Sequence, residues 1–335
     1  MKLLLASGSG CGVAWTQSLK RLILLALASF SAAAAGQEDP LASLRAQDLR
    51  LLRIVEPILA KNVTLCDRTT PDLGIALQSA DQYPANARPP FAAQIAFAAV
   101  LPGGAAAEAG IDRDDGLLSI DGYAAERRKG LEASPLRDSA FAALTEHPAG
   151  TPLVLGIVHA GVQREVTLSP PRECLALVEL LDDKSSVDAR SDGQVIQLGL
   201  GLMLQGSDEQ IATIFAHELA HSILHHRERL SAADVSKGLF GEFGRNRRLN
   251  LRAEEEADRL SIHLLANAGI DPQAAPAFWR SKLGRRLSGG IFHDRMHLSA
   301  KDRARMLENE ISAHLGSARP SYPADLLASR NTPME

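Results

Sequence analysis

Two histidines four residues apart, His217 and His221, flank Glu218 in the run HELAH, and nothing else in this 335-residue chain restricts its folding as tightly. The stretch from Glu209 to Leu224 contains no glycine or proline and is rich in helix formers; Ile211, Ile214, Phe215, Leu219 and Ile223 recur as one buried helical face. Ser207, followed by Asp208 and Glu209, suits the N-terminus of such a helix. In a helix the two imidazoles project from one side about a turn apart, where they can share a metal ion. Glu218 beside them can then take a proton from water that the ion activates. A core helix with merely hydrogen-bonded histidines is the competing reading.

A catalytic zinc usually keeps three protein donors and one open position, so a third donor is expected downstream. An extended histidine motif would need glycine at 224 and histidine at 227, where the chain has Leu224 and Arg227. The run Glu254-Glu255-Glu256-Ala257-Asp258, followed by Leu260, Ile262, Leu264 and Leu265, reads instead as a second helix with acids at its start. Spacing alone leaves Glu254, Glu255 and Glu256 open as the third donor.

HELAH, the ExxAD pattern and the phrase NAGIDP from Asn267 to Pro272 together resemble the M48 family of gluzincin metallopeptidases, over roughly residues 176–316. The resemblance implies a zinc-dependent endopeptidase with one Zn2+ held by His217, His221 and Glu254, and with Glu218 as the catalytic base. It implies that Asp258 hydrogen-bonds the free ring nitrogen of a ligating histidine. The segment Asp188 to Leu202 stands where the family has an edge strand along the cleft, which makes Val195, Ile196, Gln197 and Leu198 the expected substrate-aligning strand. Met296 to Ile311 resembles a late family element whose histidine, here His297, stabilises the oxyanion or caps the metal; His293 is the rival. His225 and His226 read as an exposed, charged continuation of the first helix. Gly238, Gly241 and Gly244 fit a mobile loop over the site.

Val100 to Gly122 and a hairpin over Thr151 to Pro170, turning at Ala160-Gly161, resemble a bacterial PDZ domain spanning about residues 68–172. This implies an extended peptide ligand added as a strand, with Leu73, Gly74, Ile75 and Ala76 as a carboxylate nest. A degenerate domain that only packs on the protease is the alternative. Residues 37–67 read as an amphipathic helical segment and 317–335 as an irregular tail. The expected fold class is therefore α+β: a β-rich PDZ-like domain followed by a mainly helical gluzincin-type domain with a small edge-stranded sheet.

Residues 1–36 read as a signal peptide, with Lys20-Arg21 before an apolar core and a small-residue end at Ala35-Gly36. The apolar core falls short of the roughly 20 residues of a membrane span. An exported, soluble, periplasmic or otherwise extracytoplasmic chain without a transmembrane span is expected, and Cys11 would leave with the leader. Removing the leader's three cations, Lys2, Lys20 and Arg21, takes the formal charge from -4 to -7, which argues against a nucleic-acid partner. Cys66 and Cys174 then form an even pair that reads as a disulfide, two free buried thiols being the alternative. The expected substrates are proteins or peptides, in particular unfolded envelope proteins in quality control. The rival functions are a non-catalytic zinc-containing chaperone and a latent protease gated by His297 or a loop.

Overall fold

The computed structural model describes residues 40–84, 88–126, 134–235, 244–288 and 298–335. The expected leader, Gly238, Gly241, His293 and His297 lie outside the described residues. Leu44–Glu335 form a compact unit.

The architecture is mixed α+β. Helix α1 (Pro40–Lys61) leads into strand β1 (Thr69–Pro71). A six-stranded antiparallel sheet follows, made of β2 (Ile75–Ser79), β3 (Ile95–Val100), β4 (Gly116–Ile120), β5 (Tyr123–Ala124), β6 (Leu153–His159) and β7 (Val162–Leu168). Its order is β2-β3-β4-β6-β7, with β5 beside β4. Helix α2 (Ala105–Glu108) follows β3, and α3 (Pro135–Thr145) precedes β6. The β6–β7 turn places Ala160 and Gly161 at φ 47° and 80°, the left-handed pair a two-residue hairpin needs to match strand twist. Strand β8 (Arg172–Cys174) returns to pair with β1.

The second half opens with β9 (Leu177–Leu181), β10 (Ala189–Ser191) and β11 (Val195–Gly199). Helices α4 (Leu200–Gln205), α5 (Asp208–Ile223), α6 (His226–Ala232), α7 (Gly244–Asn267), α8 (Ala274–Arg280), α9 (Lys282–Ser288), α10 (Ala300–His314) and α11 (Ala324–Ser329) complete it.

Two hydrophobic cores result. One fills the six-stranded sheet domain, around Phe97, Leu117, Leu153, Leu155 and Ile157. The other unites β9 and β11 with α5, α7, α8 and α10, and it takes in Leu51, Val55, Ile58 and Leu59 of α1. The amphipathic face of α1 is thus buried against the helical half. The segment after residue 316 departs from the irregular tail expected of it. It forms α11 and buries Leu326 and Met334, because Arg259 pairs with Asp325 and apolar side chains find room beside α7.

The passage between the two cores is fastened twice. Strands β1 and β8 pair there, and Cys66 is bonded to Cys174, with Cα atoms 5.5 Å apart and a sequence separation of 108. Replacing both cysteines by serine is expected to cost ~2–5 kcal/mol, by freeing a long loop in the unfolded chain. Urea unfolding with and without reductant checks this; reductant should destabilise the parent chain and leave the double variant unchanged.

Helix α1 also closes the edge of the first sheet. Its Leu51, Leu52 and Val55 line a narrow slot with Gly74, Ile75 and Ala76. Asp48 accepts a hydrogen bond from Gln78 of β2 at 3.2 Å. Gly74, in the turn expected to offer a carboxylate nest, lines both this slot and a second, open cleft with Asp72, Leu101 and Gly104.

This seam is rich in acids. Burial pushes the Asp48 carboxyl up to about 7, with Glu179 and Asp182 adding repulsion and Gln78 and Arg45 opposing it. Between about pH 4 and 7 the folded chain holds a proton that the unfolded chain has released, so stability falls as pH rises through that window. Asp48→Asn keeps an acceptor for Gln78 and removes the charge. It is expected to raise stability above neutral pH by up to ~4 kcal/mol and to change little below about pH 4, as read from melting curves at the two pH values.

Candidate metal centre

Helix α5 carries His217, Glu218 and His221. Its start is fixed by a reciprocal cap: Ser207 Oγ accepts from the Gln210 N–H, and the Ser207 N–H donates to Gln210 Oε1. Ile211, Phe215, Leu219 and Ile223 anchor the helix in the core, which turns the two imidazoles toward α7. Helix α7 packs alongside and presents Glu254 and, one turn on, Asp258.

Three donor atoms converge. His217 Nε2 and His221 Nε2 are 3.1 Å apart, and the Glu254 carboxylate lies 3.3 Å from the first and 3.4 Å from the second. Donors bound at about 2.0–2.2 Å around a tetrahedral ion stand about 3.3–3.5 Å from one another, so this spacing fits a metal of zinc's size. These are the residues that could hold a metal ion among those described. Glu255 does not join them, and the Glu256 carboxylate is bonded to His226, Arg229 and Arg252, so of the three acids that spacing left open Glu254 is the one grouped with the histidines.

Each imidazole is oriented from behind. His217 Nδ1–H donates to Asp258 at 2.9 Å, leaving Nε2 for the ion. Asp258 is 2 % exposed and is held by Arg303 of α10, whose guanidinium stacks on the Trp279 ring at 3.6 Å. Burial would lower the His217 pKa, but the Asp258 and Glu254 carboxylates together outweigh it and hold it up to about 10. Burial would raise Asp258, and the Arg303 charge and the His217 hydrogen bond bring it below the usual range.

His221 is served by a residue that sequence reading placed on the surface. After Ile223 the helix breaks: His225 takes φ 52° and is held there by Asp67 and Asn331. The break turns His226 back inward, where it is only 2 % exposed. His226 Nδ1 lies 2.8 Å from His221 Nδ1, and His226 Nε2 lies 3.3 Å from Glu256. If His221 ligates through Nε2, its Nδ1–H donates to His226, whose Nε2–H donates to the Glu256 carboxylate. Burial lowers the pKa of both His221 and His226, in keeping with neutral rings. Burial would raise Glu256, but His226 and Arg229 outweigh it and lower it to about 2. The expectation of an exposed His225-His226 pair is therefore corrected: His226 is buried and His225 is half-buried. Continuous helical spacing pointed to His225, and only a non-glycine residue in the left-handed region could redirect its neighbour.

The expected substrate strand also needs correction. Val195, Ile196, Gln197 and Leu198 lie in β11, which is the middle strand: β10 pairs with it antiparallel on one side and β9 parallel on the other. Ile196 and Leu198 are fully buried, and Gln197 bonds Glu179, so this strand has no free edge to offer. The edge strands are β9 and β10, and β10 is the one that packs beside α5. Asp188 and Ala189 line the cleft that also contains His217, Glu218 and Glu254. Ile214, Trp279 and Leu287 give the cleft its apolar lining.

Among the described residues no helix is long and apolar enough to cross a membrane. Compared with protein-family models and with curated proteins, the sequence finds no match in either.

Proposed function

We propose that the chain is a zinc-dependent metalloendopeptidase of exported proteins. The observation that carries this reading is the convergence of His217, His221 and Glu254 at tetrahedral spacing, with Glu218 in the same cleft. When bound, zinc supplies Lewis-acid polarisation of water and of the scissile carbonyl. Glu218 takes the proton from the attacking water and delivers it to the leaving amine. Asp258 and the His226–Glu256 pair hold the two imidazoles in the tautomer that leaves Nε2 free. An extended peptide adds to the open edge of β10, which aligns its backbone beside Glu218. Ile214, Trp279 and Leu287 favour an apolar side chain next to the cut bond.

The resemblance to gluzincins extends the reading to unfolded envelope proteins as substrates, and the leader-like first 36 residues support export. The hydrogen bond from Gln78 of β2 to Asp48 of α1 supports a packing role for the PDZ-like domain, with substrate taken by the zinc cleft. The reading is tested by incubating the zinc-loaded chain with unfolded casein and mapping new termini by mass spectrometry. Internal cleavages that stop when a chelator is added are expected. Intact casein in the presence of the zinc-bound chain would overturn the assignment.

A further inference from the structure

The hydrogen-bonded path behind His221 does not end at Glu256. Arg229, 4 % exposed, donates Nη1 to Glu256 at 2.7 Å and Nε to the Thr332 carbonyl at 3.0 Å. The Met334 N–H donates back to the Arg229 carbonyl at 3.4 Å. Arg252 repeats the arrangement, with Nε to the second Glu256 oxygen and Nη1 to the Glu335 backbone oxygen, each at 3.0 Å. Met334 itself is 1 % exposed and sits in a small apolar cluster with Ala233, Leu249 and Ala253, separate from the two main cores.

This cluster lies between two elements that carry the support of His221. Ala233 follows α6, which begins at His226, and Leu249 and Ala253 belong to the turns of α7 that precede Glu256. A buried side chain bridging α6 and α7 fixes the distance between His226 and Glu256. Two arginines meanwhile tie the same carboxylate to the backbone of residues 332–335. Packing, charge and backbone contacts all connect this segment to one path, ending at His221 Nδ1.

We infer that Thr332–Glu335 form a positioning clasp for the metal centre, which sets zinc affinity through Arg229, Glu256 and His226. The inference rests on the reading of His217, His221 and Glu254 as zinc ligands. The clasp touches neither metal nor substrate. It holds His226 where it can accept the His221 Nδ1–H, and an imidazole free to rotate binds a metal less tightly.

The test is the zinc dissociation constant of the full chain, measured at neutral pH by competition with a chromogenic chelator. Met334→Asp is expected to raise it about tenfold, while Met334→Leu, which refills the cluster, keeps the parent value. His226→Ala cuts the path, so adding Met334→Asp to it should leave the dissociation constant of the single His226 variant unchanged. If Met334→Asp does not fold, Arg229→Lys replaces it. That variant keeps a cation beside Glu256 but cannot also reach Thr332, and the same tenfold rise is expected. A Met334→Asp chain that melts earlier yet binds zinc as tightly as the parent would reduce the clasp to ordinary packing, and so would full additivity with His226→Ala. A parent chain that binds no zinc would remove the ligand assignment and the inference with it.

Discussion

Replacing Glu218 by glutamine leaves one zinc per chain in place and lowers peptide hydrolysis by about 10²–10⁴-fold. Glutamine matches the size of glutamate and keeps a hydrogen-bonding carbonyl, but it cannot accept the proton of the attacking water. The proposed zinc donors are His217, His221 and Glu254, and none of the distances among them involves Glu218. The loss should therefore appear in kcat, with zinc content and melting temperature close to those of the parent chain. Casein cleavage at the parent rate would assign the base to another group.

Asp258→Ala has two effects that can be measured separately. Arg303 is 4 % exposed and stacked on Trp279, so removing its carboxylate leaves a buried guanidinium without its main counter-charge. Breaking a buried pair on one side costs about 3–5 kcal/mol, which urea unfolding of the zinc-free chain should register. His217 also loses the acceptor for its Nδ1–H, and zinc affinity is expected to fall about 10–100-fold. The carboxyl of Asp258 is held below its ordinary range, so its contribution to stability is present above that range and disappears as pH falls through the lowered value. Acid should accordingly destabilise the parent more than the variant.

The parts of the site that were legible from sequence are those governed by local helical geometry. Ser207 with Gln210 fixes where α5 begins, four-residue spacing puts His217 and His221 on one side, and the same spacing sets Asp258 one turn after Glu254. The hairpin at Ala160-Gly161 was likewise readable, because the turn is decided by its two central residues.

What escaped sequence reading depends on contacts between distant segments. His226 becomes a support for His221 only because His225 adopts a left-handed conformation, stabilised by Asp67 and Asn331 from elsewhere in the chain. Arg303 is 45 residues beyond Asp258, and its role follows from how α10 packs on α7. Strand β11 is central and not an edge because β9 and β10 both pair with it, and strand alternation carries no information about which neighbours a strand will acquire. Met334 lies in a stretch whose proline and polar content reads as irregular, while its burial depends on a gap between α6 and α7.

The central claim is that zinc held by His217, His221 and Glu254 is what makes this chain cut peptide bonds. Titrating the zinc-free chain with zinc while following hydrolysis of unfolded casein tests it most directly. The account predicts that activity rises from zero in proportion to added metal and levels off at one equivalent per chain. Activity that is already present without zinc, or that stays absent once one equivalent has bound, would contradict it.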